Sequence, residues 1–210
     1  MTTGYLAPLR ELLERPWPDN RTVNLVFHGH SVPSGYFDTP SVRTLQSYPQ
    51  LVLEELCGRF PYAVINTIVT AIGGEHSAAG AARFDAVLDH RPDVIFIDYA
   101  LNDRTIGLDQ ARESWTSMII RGQQAGARVV LLTPSADQRS ALLDPEDDLA
   151  RHAEQVRGLA AEHETGLIDS YAAFQAAVLD GVPLESLMSH VNHPNEAGHR
   201  LIAEAARRIF

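Results

Sequence analysis

Residues 23–31, with the sequence Val-Asn-Leu-Val-Phe-His-Gly-His-Ser, are the stretch from which the fold of this chain can be predicted. The run at 23–27 is short and mostly apolar, which is typical of a strand covered on both faces of a parallel sheet. Gly29 permits the tight turn that follows such a strand. Since ligands in open α/β sheets bind at the carboxyl ends of the strands, we expect Ser31 to lie where a substrate binds.

The rest of the chain repeats this alternation of an apolar run and a helix-period segment. The predicted strands are 23–27, 63–69, 94–98, 129–133 and 166–169, and the predicted helices are 48–58, 78–90, 108–125, 147–163, 171–179 and 195–209. Because crossovers between parallel strands are right-handed, this pattern predicts an α/β fold, a three-layer α/β/α sandwich around a five-stranded parallel sheet. The expected strand order is 2-1-3-4-5.

The length favours a single domain over residues 1–210. A chain of 210 residues is long enough for one well-buried core and short for two. No internal repeat, low-complexity tract or linker divides the sequence. Residues 5–14 form a helix-like segment that is followed by Pro-Trp-Pro, so we expect residues 1–21 to be a helical extension packed on the domain.

Composition limits the classes of partner. The net charge is -10 and 45% of the residues are hydrophobic. An acidic surface repels phosphate backbones and anionic lipid, so we expect neither nucleic-acid nor membrane binding.

The first residues contain no basic segment followed by an apolar one, and we therefore expect no secretory signal and a cytoplasmic protein. The single cysteine, Cys57, has no partner for an internal disulfide, and we expect a buried thiol. The oligomeric state stays open.

Four short segments supply the groups that acyl transfer needs, and they lie at 29–31, 73–75, 100–103 and 190–194. Ser31 is a candidate nucleophile and His193 a candidate base, while the Gly74 N–H and the Asn102 amide are candidate donors to an oxyanion. Each segment also has a plainer interpretation. A serine after a strand can cap a helix, Gly-Gly can be a simple turn, and Asn-Asp can close a local turn.

The order Ser, Gly, Asn, His resembles the SGNH hydrolases, a branch of the GDSL esterase/lipase superfamily. The resemblance extends from residue 23 to about residue 205 and is carried by Gly-x-Ser, Gly-Gly, Asn-Asp and His-Pro-Asn-x-x-Gly-His. It implies the same strand order, which is that of flavodoxin-like folds, and no cofactor. It also implies that Ser31 attacks the ester and His193 transfers the proton. The N–H groups of Ser31 and Gly74 and the amide of Asn102 would then hold the oxyanion.

Two departures from that family lie in the same segments. The family has Gly-Asp-Ser where this chain has Gly-His30-Ser, and it has Asp-x-x-His where this chain has His190-x-x-His193. An imidazole at 190 cannot supply the fixed negative charge that orients the catalytic histidine. Three explanations are open: a backbone carbonyl accepts the bond from His193, another carboxylate such as Asp38 or Asp103 replaces the acid, or the site is a weakened hydrolase.

The loop after Ser31 is a candidate for substrate recognition, because loops beside a nucleophile carry specificity. Tyr36 and Phe37 lie in it and could contact a sugar or a short acyl chain, or could be buried anchors. Leu101, His30 and His190 are further candidates that flank the site. No long apolar tunnel is indicated, so we expect a short acyl group such as acetyl. The resemblance implies a glycan or small-molecule ester as the substrate.

Other functions are compatible with the same residues. An acyltransferase would use the same acyl-enzyme and pass the acyl group to a sugar or another alcohol. A catalytically weakened binding module would keep only the cleft. A metal hydrolase would gather the imidazoles of His28, His30, His190 and His193, since imidazole suits zinc, but it would leave the Gly-Gly and Asn-Asp segments unexplained. We therefore expect no metal site.

Overall fold

A computed structural model describes residues 4–210 of the chain. Its main sheet has five strands, all parallel, in the order β2-β1-β3-β4-β5. These strands are β1 (Thr22–Gly29), β2 (Val64–Val69), β3 (Val94–Asp98), β4 (Arg128–Leu132) and β5 (Gly166–Ile168). The predicted α/β/α fold and its 2-1-3-4-5 order are confirmed.

The helices cover both faces of this sheet. They are α1 (Ala7–Leu13), α2 (Ser31–Ser34), α3 (Tyr48–Arg59), α4 (Ser77–Ala82), α5 (Phe84–Leu88), α6 (Ala100–Asp103), α7 (Leu108–Gln124), α8 (Asp148–Glu162), α9 (Ser170–Leu179) and α10 (Glu196–Arg207), with 3-10 turns at Thr44–Gln46 and Leu184–Leu187. The helix predicted at 78–90 is interrupted at Arg83. The short helices α2 and α6 were not predicted, and neither was the antiparallel pair β6 (Met188–His190) and β7 (His193–Pro194).

The core lies in two apolar layers, one on each face of the sheet. Alternate residues of the central strand β3 face opposite layers, since Phe96 packs in the first layer and Ile95 and Ile97 pack in the second. Every residue of β3 is buried, which explains why its sequence is an almost unbroken apolar run. The first layer is covered by α1, α3, α9 and α10, and the second by α5 and α7, while α8 contributes to both.

The N-terminal segment packs on the first layer. Helix α1 places Leu9 and Leu13 in the core, and Leu6 directly before it is fully buried. The first three residues of the predicted extension at 1–21 lie outside the described residues. Cys57, which we expected to be buried, is exposed because it follows Leu56 by one position and points away from the core side of α3. Across residues 4–210, no helix has the length and apolar character needed to cross a bilayer.

The carboxyl ends of β1, β2 and β3 meet at one edge of the sheet, where the loops that follow them form a cleft. At this edge Gly29 pairs with Asp98. A Cβ atom at position 29 would overlap the backbone oxygen of Asp98 and would come within 2.9 Å of the Pro33 ring. Glycine is therefore required for β1 to stay against β3 while the chain turns into α2.

Candidate active site

Ser31 and His193 form the pair at the centre of the cleft. Ser31 is the first residue of α2, separated by one residue from the end of β1, and His193 begins β7 near the other end of the chain. The Oγ of Ser31 lies 2.9 Å from Nε2 of His193. Both residues are mostly buried and both line the cleft, which has a volume of about 400 Å³. The structure thus brings together the predicted nucleophile and the predicted base.

The other nitrogen of His193 has a backbone partner. Its Nδ1 lies 2.9 Å from the carbonyl oxygen of Phe37. A carbonyl oxygen only accepts hydrogen bonds, so Nδ1 must carry the proton of the neutral ring. The lone pair of Nε2 then points at the Ser31 hydroxyl, which donates to it. A carbonyl therefore sets the tautomer that a carboxylate sets in a Ser-His-Asp triad.

No carboxylate takes the place of the missing acid among the described residues. His190, which stands at the position of the family's aspartate, is exposed, and its ring centroid is 5.9 Å from that of His193. Asp38 is exposed on the loop after Phe37. The two oxygens of Asp103 accept hydrogen bonds from Ser77 and Trp115 instead. Of the three explanations for the missing acid, the structure therefore has the first, in which a backbone carbonyl accepts the hydrogen bond from His193.

The surroundings of His193 keep its ring neutral. Burial lowers its pKa, the Phe37 carbonyl acts in the opposite direction, and the nearby imidazoles of His30 and His190 lower it further. A histidine with a lowered pKa is neutral at pH 7 and is free to accept a proton from Ser31.

Gly74 and Asn102 line the same cleft as Ser31. Gly74 has a φ of +78°, a left-handed conformation that favours glycine, and it turns the chain after β2. The side-chain nitrogen of Asn102 donates to the backbone oxygen of Glu75 at 2.9 Å. One amide hydrogen fixes the orientation of Asn102, and the second remains available to a substrate oxygen.

A buried cluster holds the loop that contains Gly74, and sequence reasoning missed it. The carboxylate of Glu75 accepts hydrogen bonds from Nε and Nη2 of Arg83 and from the Tyr99 hydroxyl, the latter at 2.7 Å. Burial opposes ionisation of Glu75, but these donors hold its pKa below its usual value. Tyr99 also contacts His28, whose Nε2 lies 3.2 Å from the tyrosine oxygen. The cluster thus ties the loop of Gly74 to the residue that follows β3 and to the strand β1.

Asp103, the residue after Asn102, holds the segment of Asn102 in place. Asp103 is fully buried and accepts hydrogen bonds from the Ser77 N–H and from the Trp115 indole, each at 2.7 Å. Burial raises the pKa of Asp103, although both donors favour its charged form. These bonds join the segment after β3 to the start of α4, so Asp103 positions Asn102 next to the loop of Gly74.

The structure separates the predicted substrate-binding residues into two groups. Tyr36 and His190 line the cleft, together with Thr39 and Asn192, which the sequence did not single out. Phe37, Leu101 and His30 do not line it: Phe37 and Leu101 are each 1% exposed, and His30 is fully buried. For these three the expectation of substrate contact is corrected, because their side chains pack beneath the cleft. Phe37 contributes its carbonyl to the site and not its ring.

The histidines considered as metal ligands do not converge. The ring nitrogens of His28 contact Thr70 and Gly80, and Nδ1 of His30 accepts a hydrogen bond from the Val32 N–H. Within residues 4–210, no three His, Cys, Asp or Glu side chains are placed to hold one metal ion. The geometry therefore gives the metal-hydrolase alternative no site in the described part of the chain.

Known proteins share this architecture. The acetylxylan esterase Axe2 from Geobacillus stearothermophilus is similar at 23% sequence identity, with a TM-score of 0.76 over 89% of this chain and 94% of that one. A two-domain esterase, CEX, which is active on acetylated mannans, is similar at 20% identity with a TM-score of 0.79. That match covers 98% of this chain and 52% of the CEX chain. At these identities the likeness concerns the fold.

Axe2 variants in which a serine, an aspartate or a histidine is replaced by alanine are described as catalytic mutants of that enzyme. No curated protein matches this chain. A family model, that of the GDSL-like lipase/acylhydrolase family, matches residues 27–201, which include Ser31, Gly74, Asn102 and His193. Since the match covers most of the sequence, the chain belongs to the GDSL-like lipase/acylhydrolase family and is a carboxylic ester hydrolase.

Proposed function

We propose that this protein is a serine esterase that removes short acyl groups, acetyl above all, from carbohydrate esters. One observation carries the proposal. Ser31 Oγ lies 2.9 Å from Nε2 of His193, and Nδ1 of that ring lies 2.9 Å from the Phe37 carbonyl. A serine held against an imidazole of fixed tautomer is the arrangement that activates a hydroxyl for attack on an ester.

The first half of the reaction forms an acyl-enzyme. Nε2 of His193 takes the hydroxyl proton while Oγ of Ser31 bonds to the ester carbon, and the carbonyl oxygen becomes an oxyanion. The bond between that carbon and the alcohol oxygen then breaks, and His193 gives its proton to the departing alcohol. The products of this half are the free alcohol and an ester of Ser31.

The second half regenerates the enzyme with water. His193 removes a proton from a water molecule, whose oxygen attacks the Ser31 ester. When the tetrahedral intermediate collapses, His193 returns the proton to the serine oxygen and the carboxylic acid leaves. No electron donor, electron acceptor or further reactant is needed in either half.

The oxyanion is held by three donors in this proposal. They are the N–H of Ser31, the N–H of Gly74 and the free amide hydrogen of Asn102. The support is that all three residues border the same cleft and that both loops are fixed by buried carboxylates, those of Glu75 and Asp103. Donors that are already oriented cost no reorganisation when charge develops.

The lining of the cleft favours an ester of a polar alcohol. The cleft has a volume of about 400 Å³, and its rim carries Tyr36, Thr39, His190 and Asn192. An aromatic ring beside hydroxyl, imidazole and amide groups suits a sugar, which presents an apolar face and many hydroxyls. The activities of Axe2 on acetylxylan and of CEX on acetylated mannans support a carbohydrate acetyl ester.

Labelling with a fluorophosphonate, read by intact mass, tests the mechanism. We expect one adduct on the wild type, none on Ser31→Ala and little on His193→Ala. Ser34→Ala is the matched control, because Ser34 lies on the same short helix and donates to the His30 carbonyl at 3.0 Å without lining the cleft. A wild type that stays unlabelled contradicts the proposal, and so does an adduct that persists on Ser31→Ala.

The substrate is tested with p-nitrophenyl esters of increasing acyl length and with acetylated xylo- and manno-oligosaccharides. We expect kcat/KM to be highest for acetyl and to fall with chain length. An added alcohol acceptor distinguishes hydrolysis from transfer: release of free acetate at an undiminished rate supports the hydrolase, and conversion of most of the acyl group into a new ester contradicts it. Activity that survives in Ser31→Ala and disappears with a chelator would favour a metal mechanism.

A further inference from the structure

A buried carboxylate lies behind the Ser31 turn, and the proposed reaction does not use it. Asp98 ends the central strand β3 and is 4% exposed. Its Oδ2 accepts a hydrogen bond of 3.0 Å from the Tyr48 hydroxyl, and its Oδ1 lies 3.4 Å from Nε2 of His30. The four residues before it in the strand are Val, Ile, Phe and Ile, so this charge stands at the end of an apolar segment.

His30 connects this carboxylate to the nucleophile. Its Nδ1 accepts a hydrogen bond from the Val32 N–H at 3.2 Å, which caps the first turn of α2. A ring nitrogen that accepts is unprotonated, so the proton of the neutral ring lies on Nε2, the nitrogen that faces Asp98. Within the described residues that Nε2 has no hydrogen-bond partner. A negative charge at 3.4 Å stabilises a proton there and thus the tautomer that caps the turn of Ser31.

Tyr48 connects the same carboxylate to the base. The Tyr48 backbone N–H donates to Nδ1 of His199 at 3.2 Å. The His199 ring stacks on the Phe37 ring, with centroids 5.0 Å apart and an interplanar angle of 23°. His199 is fully buried, and burial, with a smaller effect from His193, lowers its pKa to about 3. It is therefore neutral at pH 7 and can accept the Tyr48 N–H, which fixes the ring against Phe37.

The contacts form a closed circuit around the catalytic pair. It starts at Ser31 and its sequence neighbour His30, whose ring caps the same turn through the Val32 N–H. From His30 it passes through Asp98, Tyr48, His199, Phe37 and His193 and returns to Ser31. Both ends of the catalytic pair are thus held by elements that meet at one carboxylate. Removing that carboxylate would release two constraints at once, on the turn of Ser31 and on the loop that supplies the Phe37 carbonyl.

We propose that Asp98 is a positioning residue for catalysis, and that with His30 and Tyr48 it supplies from behind the site the alignment that this chain lacks at position 190. This inference rests on the proposed function, because it assumes that Ser31 and His193 are the reacting pair. Asp98 touches neither the substrate nor the reacting atoms. It acts on Ser31 through His30 and on His193 through Tyr48, His199 and the Phe37 carbonyl.

The central variant is Asp98→Asn. It keeps the size of the side chain but replaces one carboxylate oxygen with an NH₂ group and removes the negative charge. Either Tyr48 then loses its hydrogen-bond acceptor, or Nε2 of His30 faces an NH₂ group in place of the oxygen at 3.4 Å. We expect kcat for p-nitrophenyl acetate to fall by about 10- to 100-fold, since small misplacements of reacting groups have effects of that size. KM and the folded state, measured by circular dichroism, should change little. The rate of fluorophosphonate labelling should fall with kcat.

Tyr48→Phe removes the hydroxyl that donates to the same carboxylate. If both residues act through one arrangement, the double variant Asp98→Asn/Tyr48→Phe should lose less activity than the product of the two single losses. Asp169→Asn is the matched control, because Asp169 also follows a strand of the sheet and accepts hydrogen bonds from an arginine and a threonine. That control should leave kcat unchanged even if it lowers the thermal unfolding temperature.

Nitrogen-15 spectra of the histidine rings give a readout that does not depend on activity. We expect His30 of the wild type to be protonated at Nε2 alone and to become a tautomer mixture in Asp98→Asn. A folded Asp98→Asn enzyme with wild-type kcat and labelling rate overturns the inference, as do multiplicative losses in the double variant or an unchanged His30 tautomer. Ser31→Ala, run in parallel, separates the two proposals: labelling that persists there refutes the catalytic serine itself.

Discussion

The carbonyl oxygen of Phe37 lies 2.9 Å from Nδ1 of His193, where a triad enzyme would place a carboxylate. The carbonyl orients the ring and selects its tautomer as a carboxylate would. It carries only a partial negative charge, however, so it stabilises the imidazolium less after the proton moves. The proposed catalytic pair is thus well oriented, but its base, His193, has a lowered pKa. The consequences for the pH dependence of the reaction are measurable.

The acidic limb of the pH–rate profile should lie below pH 6.5, the ordinary pKa of histidine. Burial lowers the pKa of His193, and His30 and His190 lower it further, against the effect of the Phe37 carbonyl. The base works only when it is neutral, so a lowered pKa preserves activity into more acidic solution. The measurement is kcat/KM for a non-ionising acetyl ester between pH 4 and pH 8. A midpoint above 6.5 would contradict the neutral, buried base.

A carboxylate at position 190 should move that limb to higher pH. In His190→Asp, a negative charge replaces an imidazole whose ring centroid is 5.9 Å from that of His193. At this separation the added negative charge favours the imidazolium and so raises the pKa of His193. The expected result is an acidic limb that lies at higher pH in the kcat/KM profile.

His190→Asn is the control for the removal of the imidazole. Loss of the His190 imidazole alone also raises the pKa of His193, because His190 lowers it in the wild type. The shift for His190→Asp must therefore exceed the shift for His190→Asn. Equal shifts would mean that position 190 does not face His193 in solution, and the departure from the family's Asp-x-x-His would then have no electrostatic consequence.

The layers and strand order followed from the sequence because burial on two faces leaves a strong pattern. The apolar runs at 94–98 and 129–133 belong to the central strands, where no position can be polar without cost. The break at Arg83 leaves no such pattern, and the contacts of its guanidinium with Glu75 and Tyr99 are between residues distant in sequence. Cys57 was misjudged because apolar neighbours in sequence do not show which face of α3 a residue takes.

The sequence predicted less about how the site residues are placed relative to one another. Ser31, Gly74, Asn102 and His193 were selected from their order and their places after strands, and the structure puts all four around one cleft. The partner of His193 was not determined by the sequence, because any residue can offer a backbone carbonyl and only the path of the loop brings that of Phe37 into place. Side-chain identity is visible in a sequence, but backbone acceptors are not.

Asn102→Ala should lower kcat far more than it raises KM. The amide is proposed to bind the oxygen only once it is negative, and removal of one such donor typically costs about 10²–10³ in rate. The measurement is the steady-state hydrolysis of p-nitrophenyl acetate. Thr105→Ala is a matched control, because the Thr105 hydroxyl donates to the Asn102 carbonyl at 2.8 Å and its removal leaves the amide intact. A loss confined to KM in Asn102→Ala would remove it from the oxyanion hole.

Acid should destabilise the fold through its buried imidazoles. Burial lowers the pKa of His28 to about 4, with Arg83 contributing, and lowers that of His199 to about 3. In the unfolded chain both should titrate near 6.5. Between these values the unfolded state binds more protons than the folded state, so the free energy of unfolding rises with pH there and falls as the solution is acidified. The stabilising contribution is complete above about pH 6.5 and is lost as the pH drops toward 4.

Urea unfolding of the wild type and of His28→Gln at pH 7.5 and pH 4.5 tests this expectation. From the shift at His28, the wild type should lose about 2 to 3 kcal/mol more than the variant between the two pH values. The comparison cancels the contributions of carboxylates such as Asp103 and Asp137 to the pH dependence, because these residues are the same in both proteins. Equal losses would mean that His28 is protonated in the folded state at pH 4.5. In that case its contacts with Tyr99 and the Gly80 carbonyl could not depend on a neutral ring.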